Sequence, residues 1–310
     1  MASHPIPRID VTRLFDGDVA QAEALHYGVT QAGFLTVYNT AISADRVRRV
    51  LAAYHAFFTQ PAAIKQAVDM ARTGANRGWG GPMSEQVDPT ANPDYKEVFD
   101  IGYEVPGSDL RVHGANLWPA TPEGFRQTLE GYYAEARALA QRLLGAIAGA
   151  LGEDPAWFAG AFDQPMALLR GNYYPPRPVS AGARDYGIAP HTDYGCLTLL
   201  ASDGTPGLEV RGSTGDWLAV TAQPGEFVIN FGEMLDMWSN GRIKATLHQV
   251  RGSTHERLSI PLFFNPDPET NVAPLGSGRV IHAVDHLQRR YDETYVHLQD
   301  ARSASVQGMG

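Results

Sequence analysis

The sequence contains very little cysteine, since Cys196 is the only one among 310 residues. A single thiol excludes a disulfide within the chain, which is typical of proteins in a reducing compartment. The first residues also lack a basic segment followed by an apolar run, so we expect no signal peptide. These features predict a cytoplasmic protein.

Positive charge is scarce as well. The chain has 25 lysines and arginines against 34 aspartates and glutamates, so its formal net charge is −9. Proteins that bind nucleic acids or anionic membranes usually carry a basic patch, and we expect neither partner. Long apolar runs are missing too: the most apolar stretch, 134–151, is interrupted by Glu135, Arg137 and Arg142, which excludes a membrane-spanning helix there.

The first half of the chain has mainly helical patterns. After the potential N-cap Ser43, apolar residues recur at three- and four-residue steps as far as Phe58, and a longer amphipathic pattern follows Pro122 and ends at Gly152. Between these helices, residues 73–95 are rich in glycine and proline, which predicts a long loop.

The second half has a different pattern, with short apolar and β-branched runs separated by turn residues. Runs of this length and spacing favour a β-sandwich or barrel. They are 166–174, 196–202, 207–211, 217–220, 226–231, 246–250 and 257–264.

From these patterns we expect one domain over residues 1–310. Residues 1–164 form a helical part with short strands, and residues 165–280 form the β-rich core. A C-terminal helix at 281–300 and a frayed tail at 301–310 complete the chain. We expect the long helix to cover one sheet and the pocket to open between the sheets.

His191 and Asp193 stand two residues apart, and on a strand such residues point to the same side. His248 lies in a later β-run and is the candidate third ligand. Two imidazoles and one carboxylate on one face leave open positions on a metal, an arrangement that suits non-haem Fe(II). A histidine and an aspartate at this spacing also occur by chance, so this motif needs support from elsewhere.

Arg257 and Ser259 provide that support. They share one face of another predicted strand, together with Phe263. Arginine presents a planar pair of donors that matches a carboxylate, and a serine hydroxyl adds a further donor. Taken alone, Arg257 is equally compatible with a structural salt bridge.

The two motifs together resemble the 2-oxoglutarate-dependent Fe(II) oxygenases, specifically their isopenicillin N synthase-like branch. The spacings from Asp193 to His248 and from His248 to Arg257 both fit that family. Further similar segments extend over nearly the whole chain: 33–37, 96–100, 116–119 and 172–176.

The resemblance implies a double-stranded β-helix, or jelly roll, backed by N-terminal helices and carrying iron at its mouth. It implies three metal ligands, His191, Asp193 and His248. The cosubstrate 2-oxoglutarate would chelate the iron, and its C5 carboxylate would meet Arg257, Ser259 and Tyr174. Asn172 would lie near the C1 end, and O2 would be the oxidant.

The implied activity is a dioxygenase reaction that couples oxidative decarboxylation of 2-oxoglutarate to C–H oxidation of a small-molecule metabolite. Related halogenating enzymes have a small residue in place of the aspartate, so Asp193 favours hydroxylation, desaturation or cyclisation. Phe263 would line the substrate pocket. Arg77, Glu85 and Tyr95, on or beside the long loop, are candidate substrate contacts, although a solvated loop explains them equally well.

Two alternatives stay open at this point. One is an Fe(II) oxidase of the isopenicillin N synthase type, which uses the same ligands without 2-oxoglutarate and holds a substrate carboxylate at the Arg-x-Ser pair. The other is a non-catalytic jelly-roll binding protein with a vestigial metal site. The match at Asn172–Tyr174 favours the 2-oxoglutarate-dependent enzyme, and the intact set of metal ligands together with the intact Arg257–Ser259 pair disfavours a vestigial site.

Overall fold

The computed structural model of the protein describes residues 6–72, 76–88, 90–92, 94–177, 182 and 185–294. The predicted tail at 301–310 and the last part of the predicted C-terminal helix lie outside these residues. The described chain forms two β-sheets, and helices cover one face of the larger sheet. The division of the chain at residues 164 and 280 stays a prediction.

Within the described residues the α-helices are α1 (Val11–Phe15), α2 (Val19–Tyr27), α3 (Ala44–Phe58), α4 (Ala62–Gln66), α5 (Phe125–Ala150), α6 (Glu233–Trp238) and α7 (Ala283–Thr294). Shorter helical turns of other types are at Gly28–Ala32, Met70–Arg72 and Arg111–His113. Of the helices described, none has the length and apolar character needed to cross a membrane.

The larger sheet has eight strands in the order β1-β2-β10-β7-β12-β5-β4-β3. All its neighbours are antiparallel except β1 and β2. Its strands are β1 (Arg8–Asp10), β2 (Phe34–Tyr38), β3 (Gly78–Gly80), β4 (Glu97–Gly102), β5 (Leu168–Tyr174), β7 (Leu197–Ser202), β10 (Phe227–Phe231) and β12 (Arg257–Phe264).

The smaller sheet has four antiparallel strands in the order β6-β11-β8-β9. Its strands are β6 (Ile188–His191), β8 (Leu208–Arg211), β9 (Trp217–Ala219) and β11 (His248–Val250). All seven β-runs predicted from the sequence are therefore strands, and their ends differ from the prediction by at most two residues.

Two apolar cores hold these layers together. The larger core joins α3 and α5 to one face of the eight-stranded sheet, so the long helix covers a sheet as expected. The smaller core lies between the two sheets and contains Phe34, Tyr174 and Val250. Ser43 caps α3 as predicted, because its hydroxyl accepts a hydrogen bond from the Arg46 amide at 3.2 Å.

The prediction of an unbroken loop over residues 73–95 is wrong. The segment contains β3, which pairs with β4 at the edge of the larger sheet.

Every residue of β4 is buried although two carry charge. Glu97 is paired with Lys65 at 2.6 Å and accepts from the Trp79 indole at 2.7 Å. Acidic residues interrupt the apolar pattern by which a buried strand is recognised in a sequence. Their partners come from distant parts of the chain, so the sequence does not show that these residues are buried.

The aromatic cluster under the larger sheet gives a test of the packing. The Phe57 ring is fully buried and lies 4.7 Å from the ring of Phe99 and 5.2 Å from that of Phe125. We expect Phe57→Ala to lower the free energy of unfolding by about 3–5 kcal/mol, because it leaves a cavity in a close-packed core. Urea unfolding followed by circular dichroism measures this change.

The control is Val280→Ala, at an exposed position, which should change the free energy of unfolding by less than about 0.5 kcal/mol. Equal stability of the two variants would show that the cluster contributes nothing to folding.

Candidate active site

The pairing of β6 with β11 places His191 directly opposite His248 in the smaller sheet. The Nδ1 atom of His191 lies 2.8 Å from the Ala189 carbonyl, and that of His248 lies 3.1 Å from the Thr246 carbonyl. Because a carbonyl oxygen can only accept, each Nδ1 donates, and each Nε2 is the ring nitrogen left to face the cluster. Burial, assisted by His248, holds the pKa of His191 well below its ordinary value, which favours the neutral imidazole that binds metals.

Asp193 completes a cluster of three potential metal ligands. Its Oδ1 atom lies 3.6 Å from Nε2 of His248 and 3.8 Å from Nε2 of His191, and one ligand atom from each residue lies within 4.8 Å of the others. The expectation that one strand carries both His191 and Asp193 is wrong, because β6 ends at His191. Asp193 reaches the site from the turn that follows.

Backbone contacts with α6 hold this turn. The Glu233 amide donates to the Asp193 carbonyl at 2.8 Å, and the Met234 amide donates to the Gly195 carbonyl at 3.1 Å. Gly195 is required here because a Cβ atom would collide with the side chain of Asn265. The α6 helix is six residues long, and the sequence patterns did not predict it.

Two further residues orient the Asp193 carboxylate, and the sequence patterns missed both. The Thr198 hydroxyl and the Asn230 amide at 2.6 Å both donate to Asp193 Oδ2. They come from β7 and β10, next to each other in the larger sheet. With Oδ2 bound by two donors, Oδ1 is the oxygen that faces the two histidines.

Arg257 and Ser259 face the same space from β12. The β5–β12 register sets Arg257 opposite Tyr174 and Ser259 opposite Asn172. The Arg257 guanidinium lies 5.0 Å from the Tyr174 ring centroid and donates from Nε to the Thr205 carbonyl at 3.2 Å. Among the described residues, its buried Nη1 has no hydrogen-bond partner. A buried guanidinium with an open donor suits a carboxylate ligand.

One cavity between the sheets, here called the clamp cavity, brings these groups together. It is lined by the three candidate metal ligands and by the predicted cosubstrate residues, and Leu200, Leu208 and Val250 supply apolar walls. The predicted residues on it are Asn172, Tyr174, His191, Asp193, His248, Arg257, Ser259 and Phe263.

A second cavity adjoins the first and shares Asn172, Ile188, His191, Asp193 and Phe263 with it. It is called the outer cavity below. Of the predicted substrate residues, Phe263 and Glu85 line it. Arg77 and Tyr95 are not among the lining residues of either cavity, and the buried Arg77 donates instead to the Val112 carbonyl at 2.6 Å.

The α7 helix also forms a wall of the outer cavity, through Leu287, Tyr291 and Thr294. The sequence predicts a helix here, but its periodicity does not show what the helix covers. His286 Nε2 lies 3.0 Å from the Tyr194 carbonyl, and Arg290 stacks on the Tyr194 ring at 4.4 Å. The helix is therefore held against the turn that carries Asp193.

Comparisons with known proteins agree with this geometry. Residues 165–266 match the model of the 2OG-Fe(II) oxygenase superfamily, and residues 6–121 match the N-terminal model described as non-haem dioxygenase in morphine synthesis. A 2-oxoglutarate-dependent dioxygenase of Didymella fabae is 31% identical over 291 residues, which cover 86% of this chain and 88% of the relative. This chain belongs to the 2-oxoglutarate- and Fe(II)-dependent oxygenases.

The fold of this oxygenase is shared with solved members of the family. A full-length Neurospora crassa protein, crystallised with alpha-KG (2-oxoglutarate) and thymine, has a TM-score of 0.82 and 29% identity, with 93% of this chain and 97% of that chain covered. A 2OG-Fe(II) oxygenase family protein from Caulobacter crescentus has a TM-score of 0.81 and 27% identity, with 94% and 100% covered. The predicted jelly roll backed by helices is confirmed.

The enzyme class and cofactors follow from the family. The protein is a 2-oxoglutarate-dependent dioxygenase that uses Fe(II) and O2, so both alternatives considered from the sequence are set aside. The described residues fit these groups: the two imidazoles and one carboxylate are a donor set suited to Fe(II), and the open Arg257 donor is suited to a cosubstrate carboxylate.

The two donors to Asp193 Oδ2 generate a prediction about metal binding. Thr198→Val keeps the side-chain shape but removes one donor, so the carboxylate loses part of its orientation. We expect the Kd for Mn(II), measured by calorimetry, to rise about 10- to 100-fold.

The matched control is Thr214→Val, in an exposed turn, and it should leave the Kd for Mn(II) unchanged. A Thr198→Val protein that folds and binds Mn(II) like the parent would show that the Thr198 hydroxyl does not support the carboxylate.

Proposed function

We propose that this oxygenase holds Fe(II) with His191, Asp193 and His248, and that Arg257, Ser259 and Tyr174 hold the C5 carboxylate of 2-oxoglutarate. The observation that carries the proposal is the clamp cavity, which is lined by both sets of residues. Asn172 is assigned to the C1 end of the cosubstrate. The Asn172 amide lies 3.4 Å from the Ser259 hydroxyl, and its buried oxygen has no partner among the described residues.

When bound, iron and 2-oxoglutarate would activate O2 for C–H oxidation: 2-oxoglutarate loses CO2 and takes one oxygen atom to become succinate, and the other oxygen atom is used to oxidise the substrate. The protein residues provide geometry and shielding. The backbone carbonyls of Ala189 and Thr246 fix the planes of the two imidazoles. His191, Asp193 and His248 would hold the iron, and the bound iron would bring the cosubstrate and O2 together. Asp193 occupies the third protein position, and this supports hydroxylation, desaturation or cyclisation over halogenation.

The primary substrate is a small molecule that enters the outer cavity, with Phe263 at the boundary between the two cavities. Glu85 is a further candidate substrate contact, since it lines the outer cavity. The names and titles of the similar proteins mention diverse small molecules, among them thymine and a flavonoid.

Cys196, the single thiol of the sequence, is buried and free, which supports a reducing compartment such as the cytoplasm.

The reaction is tested by incubating the protein with Fe(II), 2-oxoglutarate and ascorbate and measuring succinate. We expect His191→Ala and Asp193→Ala to reduce succinate to the level without protein, because each removes a metal ligand. His282→Ala changes a partly exposed histidine and should keep the activity of the parent. Parental succinate from His191→Ala would refute the assigned ligand set.

Arg257→Ala tests the cosubstrate assignment separately. Loss of a charge-assisted hydrogen bond of roughly 1.5–3 kcal/mol should raise the KM for 2-oxoglutarate about 10- to 150-fold. The Kd for Mn(II) should stay within about threefold, because Arg257 does not contact the candidate ligand atoms.

Arg251→Ala removes an arginine that lies nearby in the sequence but is about half exposed and paired with Glu209. This variant should behave like the parent in both measurements. An Arg257→Ala protein that loses Mn(II) affinity as much as 2-oxoglutarate affinity would contradict a role specific to the cosubstrate.

A further inference from the structure

One wall of the outer cavity consists of buried charged side chains that are paired with one another. These side chains do not line the clamp cavity. Glu85, Lys96 and Arg170 line the outer cavity, and Asp94 and Asp100 stand behind them. These five residues, here called the charged wall, are each at least nine-tenths buried. Ions buried to this extent need close partners, since desolvation of a charge is costly.

Each of the two cations of the charged wall is paired with two carboxylates. Lys96 Nζ lies 2.9 Å from Glu85 Oε2 and 2.7 Å from Asp94 Oδ2. Arg170 binds Asp100 through two parallel hydrogen bonds of 2.8 and 2.6 Å, and its Nη1 donates to Glu85 at 3.0 Å. Each cation is thus held between two carboxylates, with Glu85 shared by both.

These contacts keep Glu85 ionised. Burial alone would raise the pKa of Glu85, but Arg170 and Lys96 outweigh it and lower the pKa to about 2. Burial raises the pKa of Asp94 and Asp100, and their cationic partners oppose that rise. Each aspartate forms a close ion pair, Asp94 with Lys96 and Asp100 with Arg170.

The charged wall and the nearby Arg77 together have no net charge. The wall has three anions, Glu85, Asp94 and Asp100, and two cations, Lys96 and Arg170, and the buried Arg77, which also acts on Asp100, is the third cation. A wall with no net positive charge gives little stabilisation to a buried substrate carboxylate, whose own desolvation would stay uncompensated. A substrate cation faces the same difficulty, since the wall and Arg77 together have no net negative charge.

The wall still offers hydrogen bonds. An ammonium group has three N–H donors, and the described contacts of Lys96 use two of them. Each carboxylate oxygen of Glu85 has two lone pairs, and Oε1 has one close neighbour, Arg170 Nη2 at 2.8 Å. A donor and an acceptor therefore stand side by side. The remaining lining includes Leu168, Phe263 and Leu287, which suits an apolar ring or chain.

We propose that the primary substrate is an uncharged molecule with an amide-type edge, an N–H beside a C=O, that binds Glu85 and Lys96. This inference rests on the proposed function, because it assigns the outer cavity to the substrate that is oxidised. Glu85 is the specificity-determining residue: its negative charge balances the wall, and its oxygens accept the substrate N–H.

The test uses pairs of compounds that differ by one carboxylate. Nicotinamide is compared with nicotinate, indole-3-acetamide with indole-3-acetate, and uracil with its carboxylate derivative orotate. Binding to the full chain with Mn(II) and 2-oxoglutarate is measured by calorimetry. We expect the uncharged member to bind at least about tenfold more tightly in one or more pairs, and the carboxylate to be preferred in none.

The Glu85→Gln variant tests whether the charge of Glu85 causes this binding preference. The substitution keeps the shape but leaves the wall and Arg77 together with one net positive charge, so the preference should shift towards the carboxylate members by about tenfold or more. Glu130→Gln changes a half-exposed glutamate on α5 and should leave the preference of the parent unchanged. The binding preference of the parent protein is measured without any variant, so the proposal can still be tested if Glu85→Gln does not fold.

Three results would overturn the proposal: tighter binding of a carboxylate member by the parent, binding of no uncharged member, or an unchanged preference in a folded Glu85→Gln protein. Succinate formed without any primary substrate reports on the reaction itself. If that succinate is present while carboxylates are preferred, only the substrate class is refuted. If no succinate is formed, the proposed function itself is refuted, whatever the binding preference.

Discussion

The antiparallel pairing of β6 with β11 is the contact on which the candidate metal centre depends. It sets His191 opposite His248, and a shift of one residue would turn one ring to the other face of the sheet. The third donor, Asp193, is held from the other sheet by Thr198 and Asn230. The cluster therefore joins the two sheets, and a metal bound there would add to the stability of the whole core.

The register of β5 with β12 positions the residues that are proposed to hold the cosubstrate. The pairing puts Tyr174 beside Arg257 and Asn172 beside Ser259, in the space between the sheets. Because an apolar core surrounds this space, a buried guanidinium with an open donor favours an anionic ligand there. Apart from Asp193, which lies on a turn, the residues of both candidate sites therefore lie on strands whose register is constrained by burial.

The outer cavity is lined largely by other parts of the chain. Its lining includes residues of the charged wall beside β4 and β5, of the turn after β6, and of α7, which follows the core in sequence. None of these elements fixes the relative positions of the candidate metal ligands, apart from the turn that carries Asp193. If the outer cavity binds the substrate as proposed, the charge of this wall and the side chains of α7 could alter substrate preference without moving the candidate metal ligands.

The sequence by itself determined the strands of the core and the capped helix α3, because hydrophobic periodicity and capping residues are local signals. The reaction class was predicted from the resemblance of the two motifs to a known family. Only the tertiary structure decided that Asp193 reaches the site from a turn, that Thr198 and Asn230 hold it, and that Glu85 lines the outer cavity while Arg77 does not. These facts depend on contacts between residues far apart in the chain. Such contacts are selected by how two sheets and a helix pack, and no local pattern records them.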